Sequence, residues 1–286
     1  MNKIIELKQL NLKVEVKDIL NILDFNENDI IFLGGSLIEG SVSKLSHGMG
    51  NKLSDIDVFI LSDDINKVKK DRVDYDQEYL KTQFKTLYGI NVDVEIYSKQ
   101  VILDLIDQLN KYNFNNDTRI FNVLNLPKGF DIFNFTSFLH RFLNSIPIYN
   151  EQKFYNIKDV FKEEQYFNFM KRISVNKVDL SYEDVVGNLY NGQLEVAVHI
   201  ARSILLETMK AYIFHMKTSL DRDKWIPLKL KNLSESDEYS CKVYSAFKKM
   251  YFEHSLINEH SLRCNAESIL EFSNEIFDVI GQESGV

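Results

Sequence analysis

The chain has few cysteines and prolines and no long hydrophobic run. Its 286 residues include two cysteines, Cys241 and Cys264, three prolines and one tryptophan. Two thiols are too few for a disulfide framework or a cysteine-rich metal site, and they are typical of a protein from a reducing compartment. No stretch reaches the roughly 18 consecutive apolar residues of a membrane span, and the charged start lacks the apolar core of a secretory signal. We therefore expect a cytoplasmic protein with no membrane partner.

Positive charge is also in short supply. The chain has 34 Lys and Arg against 42 Asp and Glu, which gives a formal net charge of −8 with His neutral. Such a chain repels phosphate backbones unless its cations gather on one surface, so nucleic acid is a disfavoured partner and a neutral or cationic substrate is favoured. The 44% hydrophobic content excludes intrinsic disorder and fits one large or two modest domains.

The first half has short, strand-like apolar runs, which lie at residues 30–33, 56–61 and 92–97. Between the second and third run is a charged segment, residues 63–88, that is long enough for a crossover helix. Strands alternating with helices predict a mixed α/β sheet.

In the second half the apolar period becomes helical, over residues 193–216, 242–252 and 266–280. Pro127, Gly129 and Pro147 punctuate the change. The predicted fold is therefore α+β, with a mixed-sheet domain at residues 1–140 and a helical-bundle domain at residues 141–286.

The first predicted strand ends in Gly34-Gly35-Ser36. Because glycine has no Cβ, backbone there can approach a ligand closely, and the serine hydroxyl with the following backbone N–H groups can hold a phosphate at a helix N-terminus. Taken alone, the same three residues are an ordinary strand-ending turn.

Carboxylates alternate with apolar residues in the second and third strands. Asp55 and Asp57 are two residues apart, which on a strand places both side chains on one face, roughly 7 Å apart along the backbone. Asp93 and Glu95 repeat the pattern, and if the strands are neighbours, one of these acids joins the first pair. Three clustered carboxylates repel one another, and a divalent metal such as Mg²⁺ relieves that repulsion. Two such ions are suited to phosphoryl or nucleotidyl transfer.

The glycine-serine turn, the Ser54-Asp55-Ile56-Asp57 strand and the later Val92-Asp93-Val94 strand together resemble the nucleotidyltransferase superfamily, which includes DNA polymerase beta, the poly(A) polymerases and the antibiotic nucleotidyltransferases. The run from Val92 to Asp104 looks like the third-acid strand of kanamycin nucleotidyltransferase and its relatives. The motifs cover only Phe32 to Asp104, and the interval from Ser36 to Asp55 is longer than in the antibiotic enzymes, as if residues 41–52 were an insertion.

The resemblance implies specific roles, with residues 1–140 as the nucleotidyltransferase catalytic domain and residues 141–286 as the acceptor-binding domain. Asp55, Asp57 and Asp93 would be catalytic residues that bind two Mg²⁺ ions, with Glu95 as the alternative third acid. Gly34, Gly35 and Ser36 would bind the triphosphate of ATP or another NTP. The enzyme would transfer a nucleoside monophosphate to a hydroxyl of a small acceptor, aminoglycoside-like or another polyol, and release pyrophosphate.

Two alternatives remain open. The acceptor could be a macromolecule, such as a tRNA 3′ end or a protein side chain, or the fold could bind nucleotide without turnover. A homodimer is also left open, because the antibiotic enzymes often place their sites near a dimer interface.

Other residues offer weaker candidates. A general base is sought among acids of the helical half, and Arg141, Lys171 and Arg172 are candidates for contact with nucleotide. His47 lies in the apparent insertion and could meet substrate. Arg141, Lys171 and Arg172 are more simply read as structural or surface groups, and the helix face shared by Glu195, His199 and Arg202 as a salt-bridge stripe with no catalytic role. The candidate acids for the general base are Glu163, Glu164, Glu195 and Glu207.

Overall fold

The computed structural model describes residues 3–67, 73–114, 124–253 and 258–282. Contacts divide the chain into two compact units, Met1–Tyr112 with Asn122–Glu163, and Asn113–Phe121 with Glu164–Val286. The first contains the sheets and the second is helical, so the expected α+β class is confirmed. The domain boundary predicted after residue 140 lies within the helix Ile132–Leu143, whereas the compact units divide between Glu163 and Glu164.

The first unit contains a two-stranded and a six-stranded sheet. The small sheet is an antiparallel pair, β1 (Ile4–Leu7) and β2 (Leu12–Glu15). The large sheet has the strand order β5-β6-β7-β4-β3-β8, in which β4 and β7 are parallel and the other neighbours are antiparallel. Its strands are β3 (Ile30–Gly34), β4 (Ile56–Ser62), β5 (Tyr75–Asp76), β6 (Leu80–Leu87), β7 (Ile90–Ser98) and β8 (Ile146–Tyr149).

Helices accompany these strands along the chain. They are α1 (Val16–Ile22), α2 (Gly35–Val42), α3 (Lys99–Lys111), α4 (Ile132–Leu143) and α5 (Glu151–Val160). The side chain of Asp131 caps α4 by accepting a hydrogen bond from the backbone N–H of Asn134. Such a cap satisfies one of the amides that every helix leaves unpaired at its start.

The two faces of the large sheet are buried differently. On one face, aliphatic residues of β3, β4 and β7 form a core with α1, α2 and the small sheet, including Val58 and Val94. On the other face, Phe32 and Phe59 stack with ring centroids 5.3 Å apart, and Phe32 meets Phe142 of α4 and Phe154 of α5. Aromatic packing of this kind buries a large apolar area, so α4 and α5 fix the aromatic face.

The segment before β7 is a strand where a crossover helix was expected. β6 joins β7 through Tyr88 and Gly89, whose φ angles of 53° and 78° suit the tight turn that favours hairpins. The strand pattern is disguised because Lys81 and Gln83 lie on the core-facing side, opposite Ile96 and Val94, and both are buried. The helix prediction is wrong over residues 73–88, and residues 68–72 lie outside the described part.

The second unit is built from α6 (Glu163–Tyr190), α7 (Leu194–His215), α8 (Ile226–Ser234), α9 (Glu238–Lys248) and α10 (Glu259–Gln282), with a π-helical turn at Lys249–Glu253. The three helices expected in this half are confirmed. A buried hydrogen bond of 3.0 Å from Thr208 to Ser273 links α7 to α10. None of the described helices is both long enough and apolar enough to cross a lipid bilayer.

Candidate active site

The sequence motifs meet on one line across the large sheet. Gly34 of β3 is the register partner of Asp57 in β4, and Asp57 is the register partner of Asp93 in β7. Phe84 of β6 is in turn the partner of Asp93. Register partners project to the same face, with neighbouring strands about 4.8 Å apart. We call Gly34, Asp57, Asp93 and Phe84 the cross-strand row.

The carboxylate of Asp57 occupies the space that any side chain at Gly35 would need. Gly35 has φ +72°, and a Cβ built on it would lie 1.8 Å from Oδ2 and 2.9 Å from Cβ of Asp57. Glycine readily adopts this positive φ, and it is the one residue without a Cβ that would overlap Asp57. Gly35, the first residue of α2, and Asp57, the second residue of β4, are therefore in close contact.

The start of α2 presents backbone amides beside this carboxylate. Gly34 is the N-cap residue and, in the described structure, no side chain caps the helix. The first N–H groups of a helix have no partner within it and carry partial positive charge. Gly35 and Ser36 are half-buried there, so the sequence-predicted glycine-serine turn does open a helix.

Two of the remaining predicted acids are placed differently. β4 begins at Ile56, so Asp55 lies just before the strand. Glu95 is the register partner of Phe59, and the Glu95 carboxylate accepts a 2.6 Å hydrogen bond from the hydroxyl of Tyr97. Across the described ranges, no three His, Cys, Asp or Glu side chains form a cluster that could hold a metal ion. The structure thus places Asp57 beside Asp93 but does not bring three carboxylates together in the cluster that the sequence predicts.

Arg141 of α4 lies over the same sheet face, beside Gly34. Its guanidinium carbon is 5.5 Å from the ring centroid of Phe59, and its Cβ would be 3.3 Å from a Cβ added to Gly34. The side chain is buried, and Nη1 donates to the carbonyl and the hydroxyl of Ser137. The cation therefore lies over Phe59, on the face of the sheet that carries the cross-strand row. The sequence raised Arg141 only as one of several basic candidates.

A buried polar cluster anchors α2 from its far end. Nε2 of His140 on α4 lies 2.9 Å from Oε2 of Glu39 on α2, and Ser46 donates a 2.8 Å hydrogen bond to Oε1. Glu39 is 1% and His140 4% exposed. This link between α2, α4 and the loop at residues 44–46 was missed, because a glutamate and a histidine a hundred residues apart carry no local signal.

Replacing Glu39 with glutamine should destabilise the protein by about 1–3 kcal/mol, because the amide can no longer accept at both of its terminal atoms and a buried group loses its partner. Urea unfolding followed by circular dichroism measures the change. The matched control is Glu238→Gln, whose side chain is 87% exposed and pairs with Lys242; it should shift stability by less than about 0.5 kcal/mol. Equal unfolding midpoints for the two variants would contradict a structural role for Glu39.

The apparent insertion packs against the base of α2. Gln9 donates a 2.8 Å hydrogen bond to the carbonyl of Met49, and Met49 is buried. A Cβ on Gly40 would lie 2.6 Å from that carbonyl. His47 is exposed on this loop. Residues 41 and 42 are thus the end of α2, and the rest of the apparent insertion, which includes a 3-10 turn at Lys44–Ser46, packs closely against the C-terminal part of that helix.

Of the four acids proposed as a general base, two are held by lysines and two are exposed. Glu164 is paired with Lys217, and Glu207 with Lys177 and Lys210. Burial lowers the pKa of Lys210, but Glu207 and Asp223 outweigh it and leave the pKa raised. Glu163 and Glu195 are exposed.

The basic candidates of the helical half have structural surroundings. Arg172 donates to the carbonyl of Phe114, and Arg202 lies 6.0 Å from the ring of Tyr251. His199 is exposed on α7, and Lys171, on α6, is half-buried. None of these contacts indicates a nucleotide site.

No protein-family model matches the sequence, and no curated protein matches it significantly. Among solved structures, the chain is similar to a nucleotidyltransferase-like protein from Exiguobacterium sibiricum 255-15, with 11% identity and a TM-score of 0.44 over 91% of this chain and 75% of that one. A match at this level does not decide the function of this chain. The function is therefore inferred from the geometry of the cross-strand row.

Proposed function

We propose that the protein is a Mg²⁺-dependent nucleotidyltransferase that moves a nucleoside monophosphate from an NTP to a hydroxyl of a small acceptor and releases pyrophosphate. The supporting observation is the cross-strand row, in which Asp57 and Asp93 stand side by side and Asp57 touches Gly35 at the start of α2. Two adjacent carboxylates beside a helix N-terminus suit a substrate that carries both phosphate and metal.

The triphosphate would bind at the glycine end of the row. Backbone N–H groups of Gly35 and Ser36 would donate to phosphate oxygens, and the Ser36 hydroxyl would add a further donor. Arg141, whose guanidinium lies over Phe59 on the same face of the sheet, would lower the cost of the negative charge that develops on pyrophosphate.

The donor set fits Mg²⁺ in part. Mg²⁺ is commonly held by one or two carboxylates together with substrate phosphates, and Asp57 and Asp93 supply two carboxylates on adjacent strands. Asp55 as a third ligand, and a second ion, remain predictions. When bound, the metal would offset phosphate charge and acidify the attacking hydroxyl.

The chain's own residues would carry the rest of the reaction. Asp93 would accept a hydrogen bond from the acceptor hydroxyl and take its proton as the oxygen attacks the α-phosphorus. The bond from that phosphorus to the oxygen bridging the β-phosphate would break. Pyrophosphate would then leave toward Gly35 and Ser36.

The test is to incubate the protein with α-labelled NTPs, Mg²⁺ and a panel of aminoglycosides and other polyols, and to measure labelled product and pyrophosphate. Asp93→Asn should lower transfer by about 10²-fold, the usual cost of removing one proton acceptor or charge-stabilising group. Glu95→Gln is the matched control. Because Glu95 is the register partner of Phe59 and is hydrogen-bonded by Tyr97, the Glu95→Gln variant should keep most of the transfer activity.

Two outcomes count against the proposal. One is the absence of transfer and of pyrophosphate release under every metal and acceptor condition. The other is a larger loss in Glu95→Gln than in Asp93→Asn, which would exclude the assignment of Asp93 and favour Glu95 as the third acid.

A further inference from the structure

The buried carboxylate of Glu39 on α2 is held at both of its oxygens. Oε2 lies 2.9 Å from Nε2 of His140, and Oε1 accepts a 2.8 Å hydrogen bond from Ser46. With the ring proton on Nε2, His140 is the donor of the first bond. Among the residues that the structure describes, no group pairs with the buried Nδ1 of the same ring. The hydrogen bond that this ring makes is therefore the one to Glu39.

The helix α4 also approaches the residue that caps α2. A Cβ built on Gly34 would lie 3.3 Å from Cβ of Arg141, so the backbone of α4 passes close to the N-cap. Gly34 immediately precedes α2, and Glu39 is the fifth residue of that helix. Two consecutive residues of α4 therefore contact α2 on either side, in sequence, of the backbone amides proposed to bind phosphate.

The position of α2 has to come from such contacts. It has eight residues, and a helix of this length is unstable by itself in water. Leu37 and Ile38 are buried in the aliphatic core, but hydrophobic burial has no direction. Hydrogen bonds do have a direction, so the two bonds to Glu39 set where the helix lies along its own axis and how it is rotated.

The energetics of buried pairs favour such a role. A buried, hydrogen-bonded acidic pair adds little net stability over apolar residues of the same size, although removing one partner alone is costly. What the Glu39–His140 pair supplies is one defined arrangement of α2 against α4. Gly35 fits against Asp57 with no room for a Cβ, so a shift of α2 would displace the phosphate-binding amides relative to that carboxylate.

We propose that Glu39 and His140 are positioning residues, whose hydrogen bond holds the phosphate-binding start of α2 in place beside Asp57. This role rests on the proposed nucleotidyl transfer for its purpose, but its effect on phosphate binding needs no turnover. Neither side chain touches the substrate, and both act through the backbone of Gly35 and Ser36.

Two variants that differ by one methylene group test the role. The amide of His140→Gln reaches the position of Nε2 and can donate to Glu39, whereas the shorter amide of His140→Asn cannot. Calorimetric titration of the full chain with Mg²⁺ and inorganic tripolyphosphate, which carries no base, measures binding without turnover. His140→Asn should weaken binding by about 10-fold, the equivalent of one hydrogen bond to a charged group, and His140→Gln by less than about 3-fold.

The transfer reaction provides a second measurement. In His140→Asn, kcat should fall by about 10-fold, since small displacements in a reacting constellation are costly. The KM of the acceptor should stay unchanged, because the acceptor does not bind to α2. His140→Gln should restore most of kcat.

The control for lost stability alone is Leu109→Ala. Leu109 is fully buried on α3, so this variant should unfold at a lower urea concentration than wild type. Its binding of tripolyphosphate should nevertheless stay within about 2-fold of wild type, because effects at separate sites are independent. Circular dichroism verifies that each variant is folded.

Several outcomes would overturn the positioning role. They are equal losses in His140→Asn and His140→Gln, an equal loss in Leu109→Ala, and no binding of tripolyphosphate to wild type at millimolar concentration. Wild-type transfer together with unchanged binding and kcat in His140→Asn refutes the role and leaves the proposed function standing. Binding that depends on His140 without transfer under any condition refutes the proposed function and supports the positioning of a phosphate-binding helix.

Discussion

Replacing Gly35 with alanine is expected to lower nucleotidyl transfer by about 10²-fold, because a displacement of about 1 Å in a reacting constellation is enough for a loss of that size. The new Cβ would lie 1.8 Å from Oδ2 of Asp57 and 2.4 Å from its Cγ. A rotation of the carboxylate does not relieve the overlap, because Cβ of Asp57 is itself 2.9 Å away. Either β4 or the start of α2 has to move.

Gly89→Ala is the control for backbone strain alone. Gly89 has φ +78°, close to the +72° of Gly35, but a Cβ there meets nothing within 4 Å. Both variants lose about 1–2 kcal/mol from the left-handed backbone. Only Gly35→Ala adds an overlap, which should cost a further 1–3 kcal/mol or so. Steady-state transfer and urea unfolding measured on both variants separate the two effects, and equal activity in the two would refute the close fit of Asp57 against Gly35.

Asp57→Asn should reduce transfer by about 10³-fold, the upper end of the loss for one preorganised electrostatic group. The amide keeps the shape of the side chain but loses the charge that would share a metal ion with Asp93. Affinity for Mg²⁺ should fall together with the rate, so titration of activity with Mg²⁺ should show a higher half-saturating concentration.

A charge-matched control for this variant is Asp107→Asn. Asp107 is exposed on α3 and pairs with Lys111 four residues later. The variant therefore removes the same charge at a position outside the cross-strand row. Its activity should stay within about 2-fold of wild type, since exposed pairs contribute little. Retention of a tenth or more of wild-type transfer by Asp57→Asn would rule out a central role for this carboxylate.

The sequence predicted the elements that have clear periodicity. β4 and β7 carry aliphatic residues on the core face, which alternate mostly with acids and aromatics on the other face, and α7 keeps an apolar stripe along its length. β6 was missed because its core-facing positions hold Lys81 and Gln83, whose polarity hides the alternation. Tertiary context overrides pattern in such a strand.

The site was predictable as a set of residue types but not as a geometry. Asp93 and Glu95 are equivalent by alternation, and only the register of β4 against β7 places Asp93 opposite Asp57. Asp55 was expected to share the strand with Asp57, yet β4 starts one residue after it. Arg141 and the Glu39–His140 contact depend on how α4 crosses the sheet, which no local pattern contains.

The pairing of strands has a consequence for the order of folding. β6 and β7 are joined by a two-residue turn, so their hairpin is a local structure of the kind that closes within microseconds. β4 joins β7 in parallel, with β5 and β6 lying between them in the chain, and such long-range parallel contacts form slowly because a large loop must be closed first. We therefore expect Tyr75, Phe84 and Asp93 to come together early, and Asp57 to reach Asp93 only in a late step of folding.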